Sequence, residues 1–310
     1  MQPTVHILLS TFDGERFLTP QLESLVAQDY PACVVHVRDD GSGDDTPRIL
    51  DEFADRHPKV VVETGGGRRG FVGSFLELLR LAPDGPGHLY AFCDQDDVWR
   101  PDKISRAVAA IGAGETADTA LYFARVEVVD ADLQPLTLSP LPRRPGFANA
   151  VVENVVTGCT AVLGRRLREL MLEAPPESML LHDWWAYLVG SAFGRLCYDP
   201  VPAVKHRQHG ANVSQWEGRA WKRAGQRAGL FARRFRSGEV GFSSLRQAES
   251  FLEVYGDRLG GDERALVEEL VALRSAGPLA RLGYALRPKV RRSRRFDDLV
   301  MRVLIVLGQH

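Results

Sequence analysis

Asp94, Asp96 and Asp97 stand within four residues of one another, in the run Phe92-Cys93-Asp94-Gln95-Asp96-Asp97-Val98-Trp99. Carboxylates this close repel, and a hard divalent cation with oxygen ligands relieves the repulsion. Mg²⁺ or Mn²⁺ binds through one or two carboxylates, keeps some waters, and takes further ligands from substrate phosphates. The competing reading is a solvated acidic turn before a helix cap. The apolar stretch His88–Cys93 ahead of the run, with Trp99 and Pro101 behind it, weighs toward a site at a strand end.

A second acidic cluster, Asp39-Asp40-Gly41-Ser42-Gly43-Asp44-Asp45-Thr46, follows the apolar Cys33–Val37. Thr46 reads as a helix N-cap, the usual use of such a residue. Asp40 suits ligand contact, accepting the N3–H of a pyrimidine, with the hydroxyls of Ser10 and Thr11 serving the same ligand. Gly65-Gly66-Gly67-Arg68-Arg69-Gly70 lacks the Gly-Lys-Ser/Thr ending of a phosphate loop. It reads either as a loop whose arginines reach a diphosphate or as a plain solvated loop. In His182-Asp183-Trp184-Trp185 burial by indole rings would raise the acid's pKa toward that of a general base. The alternative there is an N-cap Asp with core tryptophans. His206 and His209 are three residues apart, and each alone reads as a hydrogen-bonded structural histidine.

The elements that would position these groups alternate. Val5–Ser10, Cys33–Val37, Val60–Val62 and Leu89–Cys93 are short apolar runs. Leu18–Gln28, Thr46–His57 and Phe71–Leu81 carry helical spacing. Such alternation with short loops predicts a parallel α/β sheet, whose ligands bind beyond the carboxyl ends of the strands. The clusters at Ser10-Thr11, Asp39-Asp40 and Asp94–Asp97 all fall at those ends, so one composite site is expected. Strands are also expected near Thr119–Phe123 and Thr160–Leu163, with a polar loop over His206–Gly210. From Trp216 strand signals give way to an Arg-rich amphipathic stretch, Arg219–Arg236, then helices over Phe242–Leu273, a basic run Arg287–Arg295 and a short apolar helix Leu299–Leu307. Residues 1–215 thus read as a catalytic domain and 216–310 as a basic helical region.

The 45% hydrophobic and 25% charged fractions are those of an ordinary globular chain. The charge is uneven: residues 216–310 carry 19 Lys and Arg against 11 Asp and Glu, a net of +8, and residues 1–215 a net of −9. Such asymmetry suggests a separate basic segment, whose usual partners are a membrane surface or nucleic acid. Four widely spaced cysteines without a CxxC pair read as buried free thiols of a reducing compartment. No apolar run nears the ~20 residues that span a bilayer and no secretory signal is visible, so a cytoplasmic protein is expected.

Taken together, Leu9-Ser10-Thr11-Phe12-Asp13-Gly14-Glu15, Gln21-Leu22-Glu23-Ser24-Leu25, Asp39-Asp40-Gly41-Ser42, Gly73-Ser74-Phe75, Asp94–Trp99, Thr157-Gly158-Cys159-Thr160, His182–Trp185 and Arg207–Asn212 resemble an inverting family 2 glycosyltransferase of the GT-A, nucleotide-diphospho-sugar transferase fold. The bacterial rhamnosyltransferase-like branch fits best, and the likeness covers about residues 4–215. It implies a Rossmann-like mixed sheet flanked by helices, with a C-terminal helical extension. It places Ser10, Thr11, Asp13 and Asp40 on the base and ribose of the donor, with Arg69, Asp94, Gln95 and Trp184 as further donor contacts. Asp94 and Asp96 become a DxD-type motif for Mg²⁺ or Mn²⁺, with Asp96 the best ligand, His209 a further one, and Asp97 in support. Asp183 becomes the catalytic base. The Gly67–Gly70 loop departs from the family, which often has an Asn before the Gly.

The partners implied are a dTDP- or UDP-sugar donor and a glycan or lipid-linked acceptor, with no nucleic acid. The basic C-terminus would then dock on the inner face of the membrane, or pack on the catalytic domain or on a second subunit of a homo-oligomer. Two other classes compete. A nucleotidyltransferase would open with a Gly-rich activation loop and a basic residue, which Leu9–Gly14 lacks; a non-catalytic sugar-binding module would not need Asp40, Asp96 and Asp183 together.

Overall fold

The computed structural model describes residues 2–63, 67–209 and 242–308. Two compact units result: Met1–Leu141, Val156–Pro176 and Leu181–Gln215 form the first, and Pro142–Val155, Glu177–Leu180 and Trp216–His310 the second.

In the first unit β1 (Thr4–Thr11), β2 (Cys33–Asp39), β3 (Val60–Glu63) and β4 (His88–Cys93) run parallel in the order β3-β2-β1-β4. Helices α1 (Glu15–Val26), α2 (Thr46–Arg56) and α3 (Gly70–Leu81) make the crossovers. Val5, Ile7, Leu8 and Leu9 of β1 are all fully buried, as expected of a strand paired on both edges and covered on both faces. The rest of the sheet is mixed. After the short β5 (Val98–Trp99) come α4 (Lys103–Ile111), α5 (Glu115–Asp118), β6 (Ala120–Val129), β7 (Pro135–Leu138) and, in the second unit, α6 (Phe147–Ala150). The chain continues through β8 (Val162–Gly164), α7 (Arg165–Glu173), α8 (His182–Phe193) and β9 (Arg195–Arg207). β8 pairs antiparallel with both β4 and β6, and β9 parallel with β6.

That topology brings the predicted residues to one edge. Two antiparallel steps from β4 restore its direction in β6, and β9 shares it, so His206 and Arg207 close β9 at the edge where β1, β2 and β4 also end. β8 begins there, just after the 3₁₀ turn Gly158–Thr160, and α8, which precedes β9, starts there with Asp183 in its first turn. The expectation of a polar loop at His206 is corrected: both His206 and Arg207 are strand residues. Pro200 and Pro202 had obscured the strand. It tolerates them through a bulge, where the register moves from Ala124↔Asp199 to Val126↔Val204.

Among the described residues of the second unit, the helices Phe242–Tyr255, Gly261–Ala272, Pro278–Leu286 and Arg295–Leu307 follow α6. Phe251, Val267 and Ile305 are fully buried among them, with the Phe147 ring 5.8 Å from that of Phe251. Arg219–Arg236 lies outside the described residues. All four cysteines are buried and free. No helix among the described residues is long and apolar enough to cross a membrane.

Candidate active site

The acidic run leaves β4 with its three carboxylates in different surroundings. Asp97 is fully buried, accepts from His206 Nδ1 at 3.0 Å, and takes the backbone N–H of Arg207 on the same oxygen at 3.0 Å. Burial alone would raise its pKa, but the His206 charge and these donors hold it below the usual range. Burial alone would lower His206, yet Asp97 lifts it to about 9. The pair is a buried ion pair that ties β9 to the acidic turn. Arg207 reinforces it from Nε to the carbonyl of Asp96 at 2.8 Å, and its guanidinium lies 4.6 Å from the centre of the Phe17 ring.

Asp96 is half-buried, and its Oδ2 lies 2.7 Å from His209 Nε2. Burial, then the charge of Asp97, raises its pKa against the opposing pull of His209. Asp94 is also half-buried, and no described residue donates to its carboxylate. Burial, then Asp97, Asp96 and, more weakly, Asp183, pushes its pKa well above the usual range. A crowded, unpaired carboxylate at the open edge of the sheet fits a hard cation. Asp94 and Asp96 could supply the one or two carboxylates such an ion needs beside phosphate oxygens and water. Among the described residues the donor atoms that lie within 4.8 Å of one another are those of Asp97, Cys159 and His206, all buried. Asp96 and His209 are that close, but Asp94 does not complete a group of three with them, and the buried set is already occupied by its ion pair.

Gln95 spends its amide on the neighbouring strand end: Oε1 accepts from Phe12 N at 2.8 Å and Nε2 donates to Phe12 O at 3.0 Å. A side chain at Gly14 would collide with this amide. The β1 loop is knitted to the β2 loop as well. Asp13, at φ 47°, accepts from Gly43 N at 2.8 Å and donates its own N–H to Ser42 Oγ at 2.8 Å. Thr11 Oγ1 donates to Asp39 Oδ1 at 3.0 Å, and Ser10 Oγ to Ser74 Oγ at 2.7 Å.

Asp40 anchors the start of α3. Its oxygens accept from Arg38 Nη1 at 2.6 Å, Arg69 N at 2.7 Å and Gly70 N at 2.8 Å. Burial would raise its pKa, but these donors hold it below the ordinary carboxylate value. Carboxylates at a helix N-terminus satisfy N–H groups that the helix leaves unpaired. The Arg69 guanidinium is exposed and 3.7 Å from Glu77, while Arg68 lies 4.2 Å over the Phe12 ring.

Asp183 accepts its neighbour's N–H, from Trp184, at 2.7 Å; Trp184 itself is buried. Gly158 faces this acid: a Cβ there would sit 3.4 Å from Asp183 Oδ2 and 3.2 Å from His182 Nε2. The His182 ring stacks 4.0 Å from that of Phe75, and burial drives its pKa down to about 3.

The comparisons with known proteins fit this geometry. Residues 6–167 match the family model of Glycosyl transferase family 2. The chain belongs to that family. It is 25% identical over 230 residues to the dTDP-rhamnosyl transferase RfbG of Shigella flexneri, covering 66% of this chain and 75% of that one. A glycosyltransferase of Nostoc sp., alr2836, is 24% identical over 128 residues, 41% of this chain and 38% of its own length. Among solved structures, S. aureus TarS 1-349 in complex with UDP superposes with a TM-score of 0.58 at 16% identity, over 92% of this chain and 75% of that one. The mannosyltransferase PcManGT of Pyrobaculum calidifontis, in complex with GDP-Man and Mn²⁺, gives 0.51 at 19% identity, over 100% and 86%. These likenesses establish the GT-A fold.

As a family 2 glycosyltransferase, the chain gathers Ser10, Thr11, Asp13, Asp40, Asp94, Gln95, Asp96, Asp183 and His209 at one edge of its sheet. Arg38 was not foreseen: it is buried in β2 between Asp40 and Ser74 and donates also to the Gly67 carbonyl. Its one local signal is an arginine at the end of a mainly apolar strand, directly before Asp39 and Asp40. Lys103 was missed too: fully buried, its Nζ lies 3.2 Å from the centre of the Trp99 ring.

Proposed function

We propose that this glycosyltransferase moves a sugar with inversion from a nucleotide-diphospho donor to a hydroxyl of a cell-surface glycan or lipid-linked acceptor, and that the donor is dTDP-L-rhamnose. The observation that carries the reading is Asp94, a carboxylate that accepts from no described residue and lies within electrostatic reach of Asp183 across the strand ends. The name of the Shigella relative favours the rhamnosyl donor over other sugars.

In this reading Asp183 takes the proton of the acceptor hydroxyl. The hydroxyl oxygen forms a bond to the anomeric carbon from one face while the carbon–oxygen bond to the diphosphate breaks on the other, and the nucleoside diphosphate departs with the electron pair. One base and one stabilised leaving group suffice, whereas glycoside hydrolysis uses two carboxyl groups. Asp94 and Asp96, with His209 beside them, would hold Mg²⁺ or Mn²⁺. When bound, such an ion neutralises charge on a departing diphosphate. Ser10, Thr11 and Asp13 would line the nucleoside pocket. Asp40 would contribute through the lone pair its three donors leave open, and Arg69 and Trp184 would flank the sugar diphosphate. Gln95 would act by fixing the Phe12 backbone.

The test is turnover of dTDP-rhamnose, UDP-sugars and GDP-sugars with Mn²⁺, Mg²⁺ or chelator, with the product's anomeric configuration read by NMR. Inverted rhamnoside formed only with metal supports the proposal. Retention of configuration, or full turnover in chelator, rules it out.

A further inference from the structure

Helices Pro278–Leu286 and Arg295–Leu307 pack antiparallel: Arg302 donates to the Ala285 carbonyl at 3.3 Å, and the Arg281 guanidinium lies against Gly308. Each helix buries one face, through Tyr284 and Ala285 on the first and Met301, Leu304 and Ile305 on the second. Each also carries a second apolar stripe that stays open to solvent. On the first helix this is Leu279, Leu282 and Leu286, with Leu279 85% exposed. On the second it is Phe296, Leu299, Val303 and Leu307, spaced three, four and four residues apart and 47–64% exposed. A helix at the surface of a globular protein keeps one apolar stripe, toward the core. A second stripe on each of two adjacent helices marks an interaction surface.

Charge selects the occupant. Residues 278–308 hold eight Lys and Arg against two Asp and Glu, a net of +6. Lys289, Arg292 and Arg302 have carboxylate partners in Glu269, Glu153 and Asp298. Arg287, Arg291, Arg294 and Arg295 have none among the described residues. A second copy of this chain would set the same positive excess against itself. A bilayer containing anionic lipid offers both things the surface lacks, an apolar medium for the stripes and phosphates for the arginines.

We propose that this helical pair is a membrane-surface anchor. Its bare stripes enter the boundary between headgroups and acyl chains, and the unpaired arginines sit at the level of the lipid phosphates. Each basic side chain near an anionic surface strengthens partitioning roughly fivefold. The proposal deepens the lipid-linked acceptor reading above, and its test uses no turnover, so either can fail without the other.

The experiment is co-sedimentation of the full chain with phosphatidylcholine vesicles, with and without phosphatidylglycerol. Binding to the anionic vesicles is expected to exceed binding to pure phosphatidylcholine by at least tenfold and to weaken steeply with salt. The triple variant L279S/L299S/V303S alters only exposed positions. It should lose about tenfold or more in partitioning while keeping the parent's circular dichroism and Tm. The double variant R291E/R295E should lose binding to anionic vesicles selectively. The proposal is overturned if the parent chain stays in the supernatant with both vesicle types, or if the triple variant sediments as the parent does. It is equally overturned if light scattering shows a dimer that the triple variant abolishes, which would assign the surface to a second copy.

Discussion

Asp96 Oδ2 meets His209 Nε2 at 2.7 Å, so the end of β4 and the segment after β9 converge on one carboxylate. Two substitutions separate their roles. Asp96→Ala removes a proposed ligand and should lower kcat by about 10³-fold or more. His209→Ala removes the group that orients Asp96 and should weaken Mn²⁺ binding about 10- to 100-fold. Turnover assays measure the first effect and calorimetric titration of Mn²⁺ in the presence of dTDP the second; unchanged Mn²⁺ affinity in the two variants would remove the metal from this part of the site.

Asp183 is held at the start of α8 by the Trp184 N–H at 2.7 Å, a contact an amide can keep. Asp183→Asn should therefore leave folding and donor binding near those of the parent while kcat falls about 10²- to 10⁴-fold, the span of general-base catalysis. Donor binding measured by calorimetry alongside turnover distinguishes this from a collapse of the pocket. A variant that turns over at the parental rate would exclude Asp183 as base.

Gly158 offers a finer probe of the same acid. A methyl group there meets His182 Nε2 at 3.2 Å, close enough to push that ring by a few tenths of an ångström and with it the adjoining acid, whose Oδ2 it touches in ordinary contact at 3.4 Å. Gly158→Ala is expected to lower kcat by about 10- to 100-fold through misplacement of the acid, with a Tm loss of only a few degrees. Gly164→Ala should behave differently, since its methyl would strike the backbone carbonyls of Ala117 and Asp118; it should fail to fold stably. Parental activity in Gly158→Ala would show that the acid has slack at this position.

The parallel half of the sheet was legible because Val5–Ser10, Cys33–Val37 and Leu89–Cys93 are mainly apolar runs, interrupted within the first two only by His6 and His36 and followed by polar or acidic clusters, the pattern of strands covered on both faces. The gathering of Asp40, Asp94 and Asp96 at one edge followed from that alone. β9 was not legible, since Pro200 and Pro202 disguise it and only the bulge against β6 accommodates them. The division of labour in the acidic run was half legible. The supporting role of Asp97 was expected, but its partner His206 sits 109 residues away, and no local pattern encodes so distant a pairing. Asp40 shows the same limit. Its chemistry as an acceptor could be read, while the identity of its donors, Arg38 and the Arg69 and Gly70 amides, is fixed by how α3 lands on β2.

Those donors make Asp40 a stability element with a definite pH signature. Its folded pKa lies below the unfolded value, so its contribution is present above the unfolded carboxylate pKa of ~3.9 and is lost as pH falls through the depressed folded value. Asp40→Asn swaps one acceptor for a donor facing backbone N–H groups and should cost about 1–3 kcal/mol, read as a lower denaturation midpoint at neutral pH. The gap between variant and parent should shrink as the solution is acidified toward pH 3. A gap that is constant with pH would mean that the carboxylate charge contributes nothing.

Lys103 gives the opposite sign. Burial lowers its folded pKa to about 7 from the ordinary lysine value of 10.5, so between those values the unfolded chain binds more protons than the native one. Stability from this group therefore rises with pH across that window, and below it the native state carries a buried ammonium that donates to no described polar group and faces the Trp99 ring. Lys103→Met keeps the aliphatic volume and removes the charge, a replacement that is often neutral or stabilising in a core. The variant should be more stable than the parent at pH 6, by at most about 5 kcal/mol, and the difference should decline toward zero by about pH 10. Because His206 titrates oppositely in both proteins, the difference between the two denaturation curves at each pH isolates Lys103. A variant that is less stable than the parent at pH 6 would show that the ammonium is neutralised by the acidic groups around Asp97, and that the lysine serves as their counter-ion.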